Sequence, residues 1–167
     1  MPYSLKEADI FYNLRPKHLE QIQSICTQMV LNKGTVIFEE NSTGDEMYIV
    51  TKGSIDIQVD PRMLGLETEP RPTTIVTLRK GQIFGEVALV DQGLRSASAK
   101  VAQDDTHLVV IKREELLALC EQDYELGYLL MRNIAADLAF KIRGTDLMVR
   151  EQLLWRPSEP PSTQPGD

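Results

Sequence analysis

The sequence predicts a mainly β fold, a closed sandwich or jelly roll of about eight short strands, with helices at its N-terminal end and a long helix at its C-terminal end. Three observations carry this. Short runs rich in β-branched and aromatic residues recur between turn signals from Met29 onward. Within one of them Ile55, Ile57 and Val59 alternate with Ser54, Asp56 and Gln58, the two-residue period of a half-buried strand. Beyond residue 112 the apolar residues recur instead every three or four positions, the period of a helix.

Arg15-Pro16-Lys17-His18-Leu19-Glu20-Gln21-Ile22 follows Ile10-Phe11-Tyr12-Asn13-Leu14. Pro16 suits a first helical turn, where its missing N–H costs nothing, and Leu19, Ile22 and Cys26 share one face. This is a helix leaning on a core. Residues 29–31 and 35–38 then read as strands around Lys33-Gly34, and residues 47–50 and 54–59 as strands around Lys52-Gly53, with residues 41–45 as the loop between the two pairs. The polar stretch 60–72 contains Pro61, Pro70 and Pro72 and separates Val59 from a strand at 73–78, so it reads as a long surface hairpin loop. Lys80-Gly81 turns into the segment 84–97, after which residues 96–101 and 107–111 form strands around Asp104-Asp105. Residues 113–120 begin the C-terminal helices, and Asp123 is placed to cap a long one from about Tyr124 to Trp155. Along it Leu126, Leu130, Ile134, Leu138 and Ile142 recur in steps of four and suit packing on the roll. Met131, Ala135, Leu138, Ile142, Thr145 and Val149 recur in alternating steps of three and four, as in a coiled-coil seam.

The segment 84–97 reads Phe84-Gly85-Glu86-Val87-Ala88-Leu89-Val90-Asp91-Gln92-Gly93-Leu94-Arg95-Ser96-Ala97. Gly85 removes a side chain where a short helix would begin at Glu86, so backbone N–H groups can approach an anion closely. Arg95 follows Gly93 in a loop that returns the chain, and its guanidinium can meet the same anion with two parallel hydrogen bonds. Glu86, an acceptor when ionised, requires donors, and a ribose hydroxyl is one. An anion beside a hydroxyl describes a sugar phosphate. A glutamate and an arginine nine positions apart could be an ordinary surface ion pair, contributing about 0–1 kcal/mol. Here apolar Val87, Ala88 and Leu89 and the small Ser96-Ala97-Ser98-Ala99 run enclose the pair.

Phe84 to Leu89 followed by Arg95 to Ala97 resembles the phosphate-binding cassette of the cyclic-nucleotide-binding domain family, found in catabolite-activator-type regulators and protein kinase regulatory subunits. The resemblance implies an eight-stranded β-roll, a double-stranded jelly roll, with the cassette facing its interior. It implies that Glu86 takes the ribose 2′-hydroxyl and Arg95 the cyclic phosphate, with the backbone amides near Gly85 and Ala88 and the Ser96 hydroxyl completing the phosphate shell. Cyclic AMP is the ligand such relatives suggest. Ser96 could also hydrogen-bond a guanine amino group, so cyclic GMP stays open. By position Thr145 and Asp146 fall where relatives touch the base, on the helix through which they dimerise. The resemblance runs over most of the chain: a cyclic-nucleotide-binding domain at 1–155, with the roll at about 27–112 and helices at about 113–155. The relatives' helix-turn-helix output module is not expected here, and the Pro- and Ser-rich residues 156–167 are expected to be a disordered tail.

Composition narrows the function further. In 167 residues there is room for one domain with a real core. The net charge of −7 opposes direct nucleic-acid binding. Cys26 and Cys120 lack metal-like spacing and suit reduced, buried thiols in the cytosol; neither an export signal nor a membrane-length apolar run is present, so a cytoplasmic location is expected. His18 and His107 stand near no acidic or cysteine cluster at ligand spacing, and no Gly-x-Ser-x-Gly or Walker-type loop occurs, so neither catalysis nor a metal or cofactor is expected. The reading is a stand-alone cyclic nucleotide sensor acting on a protein effector, able to form a homodimer through the C-terminal helix. The competing reading is a structural adaptor that assembles through the same roll and helix without nucleotide.

Overall fold

The computed structural model describes residues 5–60, 72–91 and 93–154. The loop at 60–72 falls almost wholly, and the tail at 156–167 wholly, outside the described residues. Two compact units divide the chain, Met1–Ile134 and Ala135–Asp167.

Among its described residues the first unit contains eight strands in two antiparallel four-stranded sheets: β1 (Thr27–Leu31), β2 (Val36–Phe38), β3 (Glu46–Lys52), β4 (Ser54–Val59), β5 (Thr73–Arg79), β6 (Ile83–Phe84), β7 (Ser98–Val101) and β8 (Thr106–Lys112). One sheet has the order β1-β8-β3-β6 and the other β2-β7-β4-β5. Consecutive strands joined by the Lys-Gly turns therefore belong to different sheets, and β1 pairs with β8, Thr27 opposite Val110 and Leu31 opposite Thr106. The expected mainly β, eight-stranded roll with flanking helices is the fold.

The two-residue period decides which side chains fill the roll. Tyr48, Val50, Ile55, Leu78, Phe84, Ala99, Val101, Leu108 and Val110 form one buried cluster, bordered by Leu31, Ile37, Phe38 and Ile57. Met47, Ile49, Val109 and Ile111 alternate with members of that cluster along β3 and β8, point to the opposite face, and are buried too. The helices account for that second covering. α1 (Pro16–Ile25) packs on α3 (Arg113–Gln122), which packs on β8. Pro16 occupies the first turn of α1 as expected, and Leu19 and Ile22 are buried while Cys26 is half-buried at the helix end. Before α1, two short 3-10 turns at Leu5–Glu7 and Asp9–Phe11 bury Leu5, Ile10 and Phe11.

α4 (Tyr124–Leu154) starts where expected: Asp123 Oδ1 accepts the Leu126 amide at 3.1 Å, the bond of an N-cap. Asn133 on this helix donates from Nδ2 to the carbonyls of Ile10 and Tyr12 at 2.9 and 2.8 Å, fastening the turns before α1 to it. The expected apolar stripe is buried at Leu126, Leu130 and Ile134 only. Leu138 is half-buried and Ile142 is 61% exposed, so the four-residue periodicity outlasts the burial it suggested. Strand bounds shift as well. β7 begins at Ser98, not Ser96, because Ser96 and Ala97 form a bend, and the two-residue β6 is too short to carry a period of its own.

Candidate functional site

The segment 84–97 closes around one buried cation. Phe84 ends β6, which pairs with β3 so that Phe84 lies opposite Tyr48, and the two rings stack at 4.9 Å. Phe38 at the end of β2 leans on both, at 5.9 Å from each. The Arg95 guanidinium sits 4.3 Å above the Phe38 ring, an attraction that strengthens where water is excluded. Arg95 is only 7% exposed.

Backbone geometry puts it there. Gly85 has φ +75°, and a Cβ on it would lie 2.8 Å from Arg95 Nη1 and 2.9 Å from the Glu46 carbonyl, so only glycine fits the turn. Arg95 Nη1 donates to the Gly85 carbonyl at 3.1 Å and Nη2 to the Glu46 carbonyl at 2.8 Å. The Arg95 backbone is clamped to the loop after β2: its amide donates to Ser42 at 2.9 Å, and its carbonyl accepts from Asn41 at 2.8 Å. Arg95 Nε is buried and finds no hydrogen-bond partner among the described residues. The two acceptors that Nη1 and Nη2 reach are backbone carbonyls without net charge. A buried cation held in this way, with one donor unsatisfied, suits an anion brought from outside.

Glu86 precedes the short helix α2 (Val87–Val90) and is 4% exposed. Thus both ionisable groups selected from the sequence lie in the interior, and Gly85 is in contact with Arg95. Ala88 and Leu89 are buried behind them, whereas Val87 is 41% exposed and Ser96 faces solvent; Ala97 is half-buried. The Ala88 amide donates to the Gly85 carbonyl at 3.3 Å and the Leu89 amide to Glu86 at 3.0 Å, so both serve the turn itself. Arg113 Nε holds the far end of α2 through the Leu89 carbonyl at 3.2 Å. Thr145 and Asp146 stand in the second unit, exposed on α4, with the Thr145 hydroxyl donating to the Lys141 carbonyl at 3.1 Å.

Several contributors come from distant elements. A Cβ on Gly44 would lie 2.5 Å from Arg95 Nη2, so this glycine leaves room for the guanidinium. Phe38 supplies the ring beneath it, Glu46 a carbonyl, and Tyr48 the stack. The Tyr48 hydroxyl donates to the Glu46 carboxylate at 2.7 Å, and burial, reinforced by that carboxylate, raises its ionisation well above the ordinary phenol range. An aromatic residue at a strand end and a Gly in a polar loop were visible in the sequence, but nothing in their spacing tied them to Arg95.

The cyclic nucleotide-binding domain family matches residues 28–123. The cyclic AMP receptor protein of Thermus thermophilus is 32% identical over 143 residues, covering 86% of this chain and 61% of that protein. Human cGMP-dependent protein kinase 2 is 30% identical over 110 residues, covering 66% of this chain but 14% of the kinase. The chain thus spans about three fifths of the first relative and a seventh of the second. The crystal structure of Thermus thermophilus catabolite activator protein superposes with a TM-score of 0.71 at 30% identity, covering 87% of this chain and 63% of that one.

Proposed function

Because the chain belongs to the cyclic nucleotide-binding domain family, we propose that it acts as a cyclic nucleotide sensor, a binding module without catalysis whose ligand repositions α4. We assign the domain to 1–155. The observation that carries the reading is Arg95: a buried guanidinium with an unsatisfied Nε, set against Gly85 in the segment that also buries Glu86. A cyclic phosphate supplies the anion that the buried charge lacks, through the fork of donors that only arginine provides. The ribose 2′-hydroxyl supplies a donor to Glu86. Phe84, Val87, Ala88, Ser96 and Ala97 shape the same segment around the sugar phosphate. Thr145 and Asp146 contact the base and couple its binding to α4, which assembles two copies of the chain and presents the ligand's effect to a protein effector in the cytoplasm.

Calorimetric titration with cyclic AMP and, separately, cyclic GMP tests this. The expected result is micromolar or tighter binding of at least one nucleotide, with cyclic AMP the tighter. In Arg95→Ala the loss of one partner of a buried charge pair, about 2–5 kcal/mol, weakens it about thirtyfold to several-thousandfold. Absence of heat with either nucleotide, from folded protein, refutes the sensor and leaves the adaptor reading.

A further inference from the structure

We propose that His18, Asp123 and Glu125 form a binding site for a zinc-class divalent cation that joins α1 to the first turn of α4. Sequence spacing gave no sign of it, because the histidine lies about a hundred positions before the two carboxylates. The fold brings one donor atom from each within 4.8 Å of the others.

The histidine is the telling member. His18 is fully buried, 0% exposed, and among the described residues neither ring nitrogen finds a hydrogen-bond partner. Buried imidazole nitrogens ordinarily find partners, since leaving them unmade forfeits their hydration without return. Nε2 lies 3.4 Å from Asp123 Oδ2. That separation is too long for a good hydrogen bond but suits two ligands on one ion. With metal–nitrogen and metal–oxygen distances of about 2.0–2.2 Å, the corners of a tetrahedron lie about 3.3–3.5 Å apart.

The three side chains also divide the work of such a site. Asp123 uses Oδ1 for the cap on α4, which fixes the carboxylate, and leaves Oδ2 turned to the histidine. His18 closes the site from the protein interior. Glu125, its side chain 50% exposed, closes it from solvent, where a water can complete the coordination. Lys17 Nζ lies 2.9 Å from Asp123 Oδ2 and Arg15 pairs with Glu125, so these cations occupy the carboxylates in the metal-free arrangement. Both pairs are solvent-exposed and weak enough to yield to a divalent ion. An imidazole with two carboxylates favours zinc and its transition-metal neighbours over calcium or magnesium, which prefer oxygen alone.

The test uses the full chain, freed of metal with a chelator, and titrates it with Zn2+ by calorimetry and with Co2+ by visible absorption. The expected result is one saturable site per chain, micromolar or tighter for zinc, with a cobalt spectrum of nitrogen and oxygen ligands. Binding should be lost in His18→Gln. Because that core position could disturb folding, exposed Glu125→Gln is the deciding variant, and it should weaken binding at least about tenfold. The Cys26→Ser, Cys120→Ser double variant should bind as the parent does. No saturable site, affinity unchanged in Glu125→Gln, or thiolate charge-transfer bands lost with the cysteines would each overturn the proposal. None of these readouts involves a nucleotide.

Discussion

Gly44 shows how far the environment of one side chain extends beyond the segment that carries it. It is exposed in its loop, yet a methyl group there would meet Arg95 Nη2 at 2.5 Å, well inside contact distance. Gly44→Ala should therefore leave the fold intact and shift the guanidinium. Misplacing one end of a charge-assisted hydrogen bond of about 1.5–3 kcal/mol should weaken nucleotide binding about tenfold or more, against a small change in melting temperature. A parallel calorimetric and thermal-denaturation comparison checks this; parental affinity would mean that the guanidinium has room to adjust. At this scale the sequence was informative where chemistry was concentrated in neighbours. Gly85, Glu86 and Arg95 belong to one short segment, and the two ionisable members, Glu86 and Arg95, are both buried. Phe38, Gly44 and Glu46 reach Arg95 only through strand placement, and His18 meets its acids only through the packing of α1 on the helices after β8. No local pattern encodes such meetings.

Among the elements, α4 separates what periodicity can say from what it cannot. A stripe in steps of four specifies an apolar face but not what covers it, so Leu126, Leu130 and Ile134 are buried while Ile142, on the same stripe, is exposed. Strand positions were legible for the same reason that this helix was: turns at Lys-Gly pairs and a two-residue period leave a local record. Pairing was not, because the partner of β1 is β8, and nothing within either strand names the other. If ligand repositions α4, amide hydrogen exchange should slow or quicken across residues 138–149 at saturating nucleotide. Ligand moves an equilibrium only by its differential affinity for the two arrangements. Unchanged exchange there, with nucleotide bound, would separate binding from any movement of the helix.

For the whole molecule the question is how many copies act together. Beyond the buried part of α4 stand Phe140 at 76% exposure, Ile142, Leu147, Met148 and Val149, more apolar surface than one helix ordinarily leaves to water. Self-association through a seam containing Ala135, Leu138, Ile142 and Val149 should give a sedimentation mass near twice the chain's 18.9 kDa. Ile142→Glu should return it to a single copy without loss of secondary structure, since that side chain is exposed in the chain alone. A monomer at all accessible concentrations would argue against the seam. The fold class was fully legible because it depends on element types and order, which are local properties summed along the chain.

The bonds from Asn133 to Ile10 and Tyr12, together with the pairing of β1 on β8, have a consequence for biosynthesis. A nascent chain makes its first strand and its first turns long before their partners exist. β1 must wait for residues 106–110, and the opening turns wait for residue 133. Until then those early backbone groups can be satisfied only by water or by a helper protein. Closure of this domain therefore follows the synthesis of residue 133, and a ribosome stalled before Asn133 would carry the turns at Ile10 and Tyr12 still unsealed.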